Sequence, residues 1–254
     1  MTSELVHITR RGPVRTLTLD SPHNRNALSS QLQGELADGL ADAVADSSVR
    51  AVVLTATGNV FCSGADLSER AAAGTSRLPE ILAALHATPM PVIARVGGHA
   101  RAGGLGLIAA SDLAVATAGN TLAFSEVRVG VAPALILVPS LRVADRRFLS
   151  RVTLTGDTFS AAEAAGAGLL TDVVEDEAAL DEWVARAIAS SLKSAPGAVA
   201  ATKALLDELP ELSWAAGLSA ARVRSAELFA GAEAVEGVDA FFNKRAPAWD
   251  ASAS

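Results

Sequence analysis

Between residues 14 and 56 the apolar positions change their period twice. Val14-Arg15-Thr16-Leu17-Thr18-Leu19 alternates apolar and polar and stops at Asp20-Ser21-Pro22, which predicts a half-buried strand closed by a turn. Leu32, Leu36, Leu40 and Val44 then recur every four residues up to Asp46-Ser47-Ser48, one face of a helix, with Ser30 and Gln33 spaced as a capping box at its start. Ala51-Val52-Val53-Leu54-Thr55-Ala56 is apolar almost throughout, the pattern of a strand covered by helices on both faces.

The alternation continues. A helix is predicted from about Leu78 to Ala87, ending before Thr88-Pro89-Met90-Pro91, and a buried strand over Val92-Ile93-Ala94-Arg95-Val96. The run from Gly97 to Gly104 leads into the apolar stretch from Leu105 to Ala110, and Asp112-Leu113-Ala114-Val115-Ala116 is a further strand. Alternating strands and helices of this kind predict a mixed or parallel sheet layered with helices. Beyond Thr171-Asp172-Val173-Val174 the pattern turns helical: Leu180, Val184, Ile188 and Leu192 mark one helix, Pro196 to Leu209 a second and Ser213 to Gly231 a third. Only the short breaks Ala167-Gly168 and Pro196-Gly197 interrupt the chain, so it is not cut into independent domains. The tail from Ala246 to Ser254 is small and polar apart from Trp249, and disorder is expected in part of it.

Composition narrows the class. Half of the 254 residues are hydrophobic and 19% are charged, which predicts a folded globule. The net charge, 21 − 28 = −7, argues against a nucleic-acid binder that relies on broad electrostatic attraction, while leaving room for local binding of an anion. A single cysteine, Cys62, excludes an internal disulfide and a multi-thiolate metal site, and points to a reducing cytoplasm. Glu4 and His7 stand where a signal peptide needs apolar residues, and no uncharged segment reaches the roughly 18 residues of a membrane span, so neither export nor anchoring is expected. The chain has no tyrosine, which removes the proton donor of a Tyr/Lys dehydrogenase.

The glycine-rich segments fit no nucleotide motif. Gly58 to Gly64 lacks the Gly-Lys-Ser/Thr of a phosphate loop, Gly98 to Gly106 lacks G-x-G-x-x-G spacing, and Phe61-Cys62-Ser63-Gly64 is not the G-x-S-x-G of an esterase. His7, His23, His86 and His99 show no ligand spacing, and no metal is expected. Two turns remain, Ser63-Gly64-Ala65-Asp66-Leu67 and Ala102-Gly103-Gly104-Leu105-Gly106. Small residues there let a ligand reach the backbone, and a following helix leaves its first N–H groups unpaired, so a pair of such turns can hold one oxyanion. The same spacing also suits ordinary tight turns between sheet and helix.

Four motifs in order resemble the enoyl-CoA hydratase/isomerase (crotonase) family: Asn24-Arg25-Asn26-Ala27-Leu28, Phe61 to Leu67, Gly98 to Gly104, and Phe124-Ser125-Glu126-Val127-Arg128-Val129-Gly130. The likeness extends from about Val6 to Trp249 and includes Thr153 to Gly156 and Glu163 to Leu169. It implies an α/β fold, a crotonase-like ββα spiral core over residues 1–195, with a C-terminal helical trimerisation subdomain over 196–254. It implies a homotrimer or a hexamer of paired trimers. The implied activity is that of an enoyl-CoA hydratase, a lyase acting on an acyl-CoA thioester, with coenzyme A entering as part of the substrate and no separate cofactor.

By that resemblance the N–H groups of Ala65 and Gly103 form an oxyanion hole, and Glu126, in Ser125-Glu126 where the family usually has Pro-Glu, carries the proton. Ser63, Gly64, Asp66, Leu67, Arg25, Ala27 and Gly104 fall among the substrate-binding positions, and Lys244, with Phe241 and Phe242, at a CoA edge or a subunit contact. The chain departs from the pattern at Gly106, where hydratases commonly carry a second glutamate. A Δ3-Δ2 enoyl-CoA isomerase and a non-catalytic acyl-CoA binder therefore stand as alternatives.

Each polar residue also has a plainer role. Glu126 can pair with Arg128, and Asp66 can cap the next helix. Glu69 and Arg70 fit a solvated helix face, His99 and Arg101 a water-exposed turn, and Cys62 a small buried hydrophobe. Gly106 itself can mark a positive φ.

Overall fold

The computed structural model describes residues 3–69 and 76–250. The alternating segment is strand β2 (Val14–Leu19), and it pairs antiparallel with β1 (Val6–Arg11), whose polar exposed half hides its period. Helix α1 (Ser30–Ala45) then crosses over to β3 (Ala51–Ala56), which lies parallel to β2 in register from Val14 opposite Ala51 to Leu19 opposite Ala56.

The helix starts one residue earlier than its capping-box spacing predicts. Ser29 is the N-cap, its Oγ accepting from the Leu32 N–H at 3.3 Å, and Gln33 instead donates to the Leu28 carbonyl at 2.7 Å. Ser30 is the first helical residue, and its N–H and hydroxyl both donate to the Glu69 carboxylate, at 2.8 and 2.6 Å.

From β3 onward the chain repeats one gesture three times. β3 leads through a short turn into β4 (Val60–Cys62), β5 (Val92–Val96) into β6 (His99–Arg101), and β7 (Leu113–Thr117) into β8 (Thr121–Ala123). The first strand of each pair joins a six-stranded sheet ordered β1-β2-β3-β5-β7-β10, in which β10 is Asp172–Val174, and the second joins a four-stranded sheet ordered β4-β6-β8-β9, in which β9 is Phe159–Ser160. After the pairs come α2 (Leu78–Ala87), α3 (Gly103–Ala109) and α4 (Ala134–Val143). This is a ββα spiral of three turns. Helices α5 (Arg146–Thr155) and α6 (Ala161–Gly166) flank β9, and α7 (Glu177–Leu192), α8 (Pro196–Glu208), α9 (Trp214–Phe229) and α10 (Ala232–Phe242) close the chain.

The continuous apolar strands are explained by cover on both faces. Val52 and Leu54 face Leu32, Leu36 and Leu40 of α1 in the main core, whereas Val53, Ile93 and Val115 point the other way and pack against Leu180 and Val184 of α7. At about 25 cal/mol per Å² of apolar area, burial on both faces stabilises such strands more than a half-exposed edge. No helix among the described residues is long and apolar enough to cross a membrane.

Candidate active site

Because β4, β6 and β8 are parallel neighbours, their carboxyl ends stand side by side. Ala65, Gly103 and Glu126 each lie two or three residues beyond one of those ends. Three segments spread over sixty residues of chain are thereby brought to one edge, the edge where parallel sheets hold their ligands.

The first turn is built by close approach. Gly64 has φ +93°, and a Cβ on it would stand 2.6 Å from the Ala102 Cβ and 3.3 Å from the Gly103 nitrogen. A Cβ on Gly103 would in turn meet the Leu28 Cδ1 at 2.7 Å and the Gly64 Cα at 3.6 Å. The two turns therefore lie so close together that neither Gly64 nor Gly103 has room for a side chain. Leu28 fixes the first turn, donating its N–H to the Gly64 carbonyl at 2.8 Å and bridging to Ala65 as a parallel strand pair. The Ser63 N–H donates to the Arg25 carbonyl, and its Oγ to the Asn24 carbonyl.

Asn24-Arg25-Asn26 turns out to be largely scaffold. Asn26 is buried with φ +55°, a conformation Asn tolerates better than most residues. Its Oδ1 accepts from the Ser21 N–H, and its Nδ2 donates to the Thr57 and Val60 carbonyls at 3.0 and 2.7 Å. Ala27 is buried beside it, while Arg25 is exposed.

The second turn stores strain. Ala102 sits at φ +49°, ψ −120°, a region that costs a residue with a Cβ about 1–3 kcal/mol. It is held there by its own N–H donating to the Ala123 carbonyl at 3.0 Å and by the Leu105 N–H donating back to its carbonyl at 2.8 Å. Helix α3 begins with no side-chain cap. Among the described residues the N–H groups of Ala65, Gly103 and Gly104 donate to no protein acceptor.

Glu126 opens the short 3-10 turn Glu126–Val129. It is half-buried, and its Oε2 is buried without a hydrogen-bond partner. Burial pushes its carboxyl above the ordinary carboxylate value, opposed by a backbone N–H of its own residue. Pairing with Arg128 does not occur: that guanidinium binds Asp157 at 2.6 Å and the Thr155 carbonyl at 3.3 Å.

Gly106 is an ordinary helical residue without a positive φ, contrary to one sequence expectation. What it lacks is room. A Cβ there would meet the Ile136 Cγ2 of α4 at 2.5 Å and the Leu82 Cδ2 of α2 at 3.4 Å. Nothing in the local period marks Ile136 as its neighbour.

The remaining polar residues are mostly accounted for. Asp66 caps the 3-10 turn at 67–69, its Oδ1 accepting from the Ser68 N–H and hydroxyl, and these bonds hold its carboxyl below the ordinary value. Glu69 belongs to the start of α1 and not to a free helix face, and Arg70 lies outside the described residues. His99 and Arg101 are not free turn residues either. The His99 Nδ1 accepts from the Thr121 N–H at 3.0 Å, and Arg101 donates to the Thr121 carbonyl and hydroxyl. Cys62 is fully buried under Gly104, whose Cβ position would be 2.8 Å from the Cys62 Cβ, and burial pushes its thiol up to about 12. Leu67 is exposed at the rim, and Lys244, Phe241 and Phe242 are exposed at the end of α10.

Comparison with known proteins gives the chain a family. A sequence model of the enoyl-CoA hydratase/isomerase family matches residues 9–252, and the chain belongs to that family. It is 32% identical over 251 residues to the 2,3-dehydroadipyl-CoA hydratase of Escherichia coli, covering 96% of this chain and 98% of that one. It is 32% identical to the mevalonyl-coenzyme A hydratase of Aspergillus fumigatus, covering 92% and 90%. Its fold matches the crystal structure of an enoyl-CoA hydratase from Mycobacterium smegmatis with a TM-score of 0.90 at 34% identity, covering 97% of this chain and 99% of that one. The ββα spiral expected from the motifs is thus the fold of the chain, and its family acts on CoA thioesters.

Proposed function

We propose that the protein is an enoyl-CoA hydratase-like lyase in which the Ala65 and Gly103 N–H groups hold the thioester carbonyl oxygen and Glu126 moves the proton at C2. The observation that carries this reading is the buried, unpartnered Glu126 Oε2 on the same edge as two turns with unused backbone donors. Proton transfer at C2 puts negative charge on the thioester oxygen, and one well-placed donor to such an oxygen is worth about 3–4 kcal/mol in the transition state. The donors are backbone, so the chemistry asks of residues 65 and 103 only small size.

A carboxyl raised by burial holds a proton more readily than an ordinary carboxylate and is suited to both accepting and returning one. Ser63, Gly64, Asp66, Leu67, Ala27 and Gly104 frame the acyl thioester in this reading, and the exposed Arg25 and Lys244 meet the phosphates of coenzyme A. Coenzyme A arrives with the substrate, and the reaction needs no other cofactor.

One observation favours a second reaction on the same site. With Ile136 and Leu82 closing the space at Gly106, no second carboxylate holds a water, and a single carboxylate carrying a proton between C4 and C2 makes a Δ3-Δ2 enoyl-CoA isomerase. Absorbance of the conjugated thioester separates the readings. Hydration of crotonyl-CoA lowers it, isomerisation of a 3-enoyl-CoA raises it, and a protein that only binds acyl-CoA leaves both unchanged.

We further propose that residues 196–254 mediate a homotrimer, single or paired into a hexamer. Helix α9 has no buried residue although it carries Trp214, 84% exposed, and Phe229, 75% exposed, and α10 adds Phe241 and Phe242. An apolar surface of this extent on a chain of charge −7 is better covered by a second copy than by water. The single, buried thiol suits a reducing cytoplasm.

A further inference from the structure

A groove of about 280 Å³ opens at the opposite end of the main sheet from the candidate active site. Arg50 and Pro91, which line it, stand immediately before the parallel strands β3 and β5, whereas Ala65, Gly103 and Glu126 lie beyond the carboxyl ends of strands. Its lining is mostly apolar, with Val44, Val49, Met90 and Val199 of α8 beside Ser47 and Ser191. Two charged residues line it as well, and they are not in the same condition.

Asp46 is neutralised twice, by Arg10 at 3.0 Å and Arg15 at 3.3 Å. Arg50 pairs with no carboxylate among the described residues. Its Nη2 donates to the Ser194 carbonyl at 2.6 Å and its Nη1 to the Trp249 carbonyl at 3.1 Å. Carbonyl dipoles fix a guanidinium in place without cancelling its charge, and two of the five N–H donors are used. Of the two charged residues that line the groove, Arg50 is thus the one with no ion-pair partner among the described residues.

We propose that this groove binds a small monocarboxylate with a short unbranched apolar tail, the carboxylate on Arg50 and the tail between Val49, Met90 and Val199. The volume suits a chain of a few carbons, and an immobilised arginine with spare donors recognises a carboxylate better than a neutral or cationic head group. The site is independent of the catalytic reading.

The test is titration of the full-length protein with hexanoate, hexylamine and 1-hexanol, followed by ligand-observed NMR. Saturable hexanoate binding is expected, roughly tenfold or more tighter than either control, as a charge-assisted hydrogen bond to the carboxylate supplies. Arg50→Met should weaken it by a similar factor. Val199→Trp, which fills the groove without touching Arg50, should abolish it while leaving crotonyl-CoA turnover unchanged, and this second variant decides the matter if Arg50→Met does not fold. Equal binding of all three ligands, no saturation, or hexanoate binding that survives Val199→Trp would each overturn the proposal.

Discussion

Glu126→Gln should make the protein more stable and less active, and the two changes should come apart with pH. The wild-type carboxylate keeps Oε2 buried with no partner. An unsatisfied buried polar group costs about 1–3 kcal/mol and a charged one more. The glutamine amide also lacks a partner for that atom but has no charge to desolvate, and the side chain is only half-buried, so the net gain is about 1 kcal/mol. For a chain of this length that raises Tm by roughly 2–4 °C.

The sign with pH follows from the shift. Glu126 has a folded-state pKa above its ordinary value of 4.5, so ionisation destabilises the fold, and the penalty is fully present above the raised value and absent below the ordinary one. The variant's advantage should therefore be seen at pH 7.5 and fade as pH falls through the carboxylate range. Thermal melts of both proteins across that range, beside crotonyl-CoA and 3-enoyl-CoA turnover at pH 7.5, test both halves. Turnover should fall by about 10²-fold or more while acyl-CoA binding survives. A variant that melts no higher than wild type at pH 7.5, or retains full turnover on every enoyl-CoA tried, refutes the reasoning.

Three further outcomes are expected. Gly106→Glu alone should destabilise the protein by about 1–3 kcal/mol through collision with Ile136, whereas its cost combined with Ile136→Ala should be smaller than the sum of the two single costs, with hydratase activity gained; a single variant that melts like wild type contradicts the packing. Gly64→Ala, placed at φ +93° against the Ala102 Cβ, should cost stability and lower turnover by about 10²-fold or more as the two turns are pushed apart, and an unchanged kcat would remove the oxyanion hole. Light scattering should give a trimer or hexamer, Phe241→Asp with Phe242→Asp should shift it toward smaller species, and a wild-type monomer at micromolar concentration would end the assembly proposal.

Much of this protein is legible along the chain because strand and helix periods are local. The apolar run at 51–56, the helix at Leu78–Ala87 and the strand at Val92–Val96 fall where the pattern places them. Cys62 reads as a small buried hydrophobe, and Glu126 stands out through the motif around it. Tertiary structure decided what no window of sequence contains. Strands β4, β6, β8 and β9 are two or three residues long, too short to carry a period, yet the parallel adjacency of the first three is what brings Ala65, Gly103 and Glu126 to one edge. Glu69 finishes the first turn of α1 from 39 residues away. Gly106 reads as a missing acid in sequence, and only the packing of α4 on α3 reveals the isoleucine that occupies its space. These features arise from contacts between residues far apart in the chain, and such contacts leave no periodic trace in either partner.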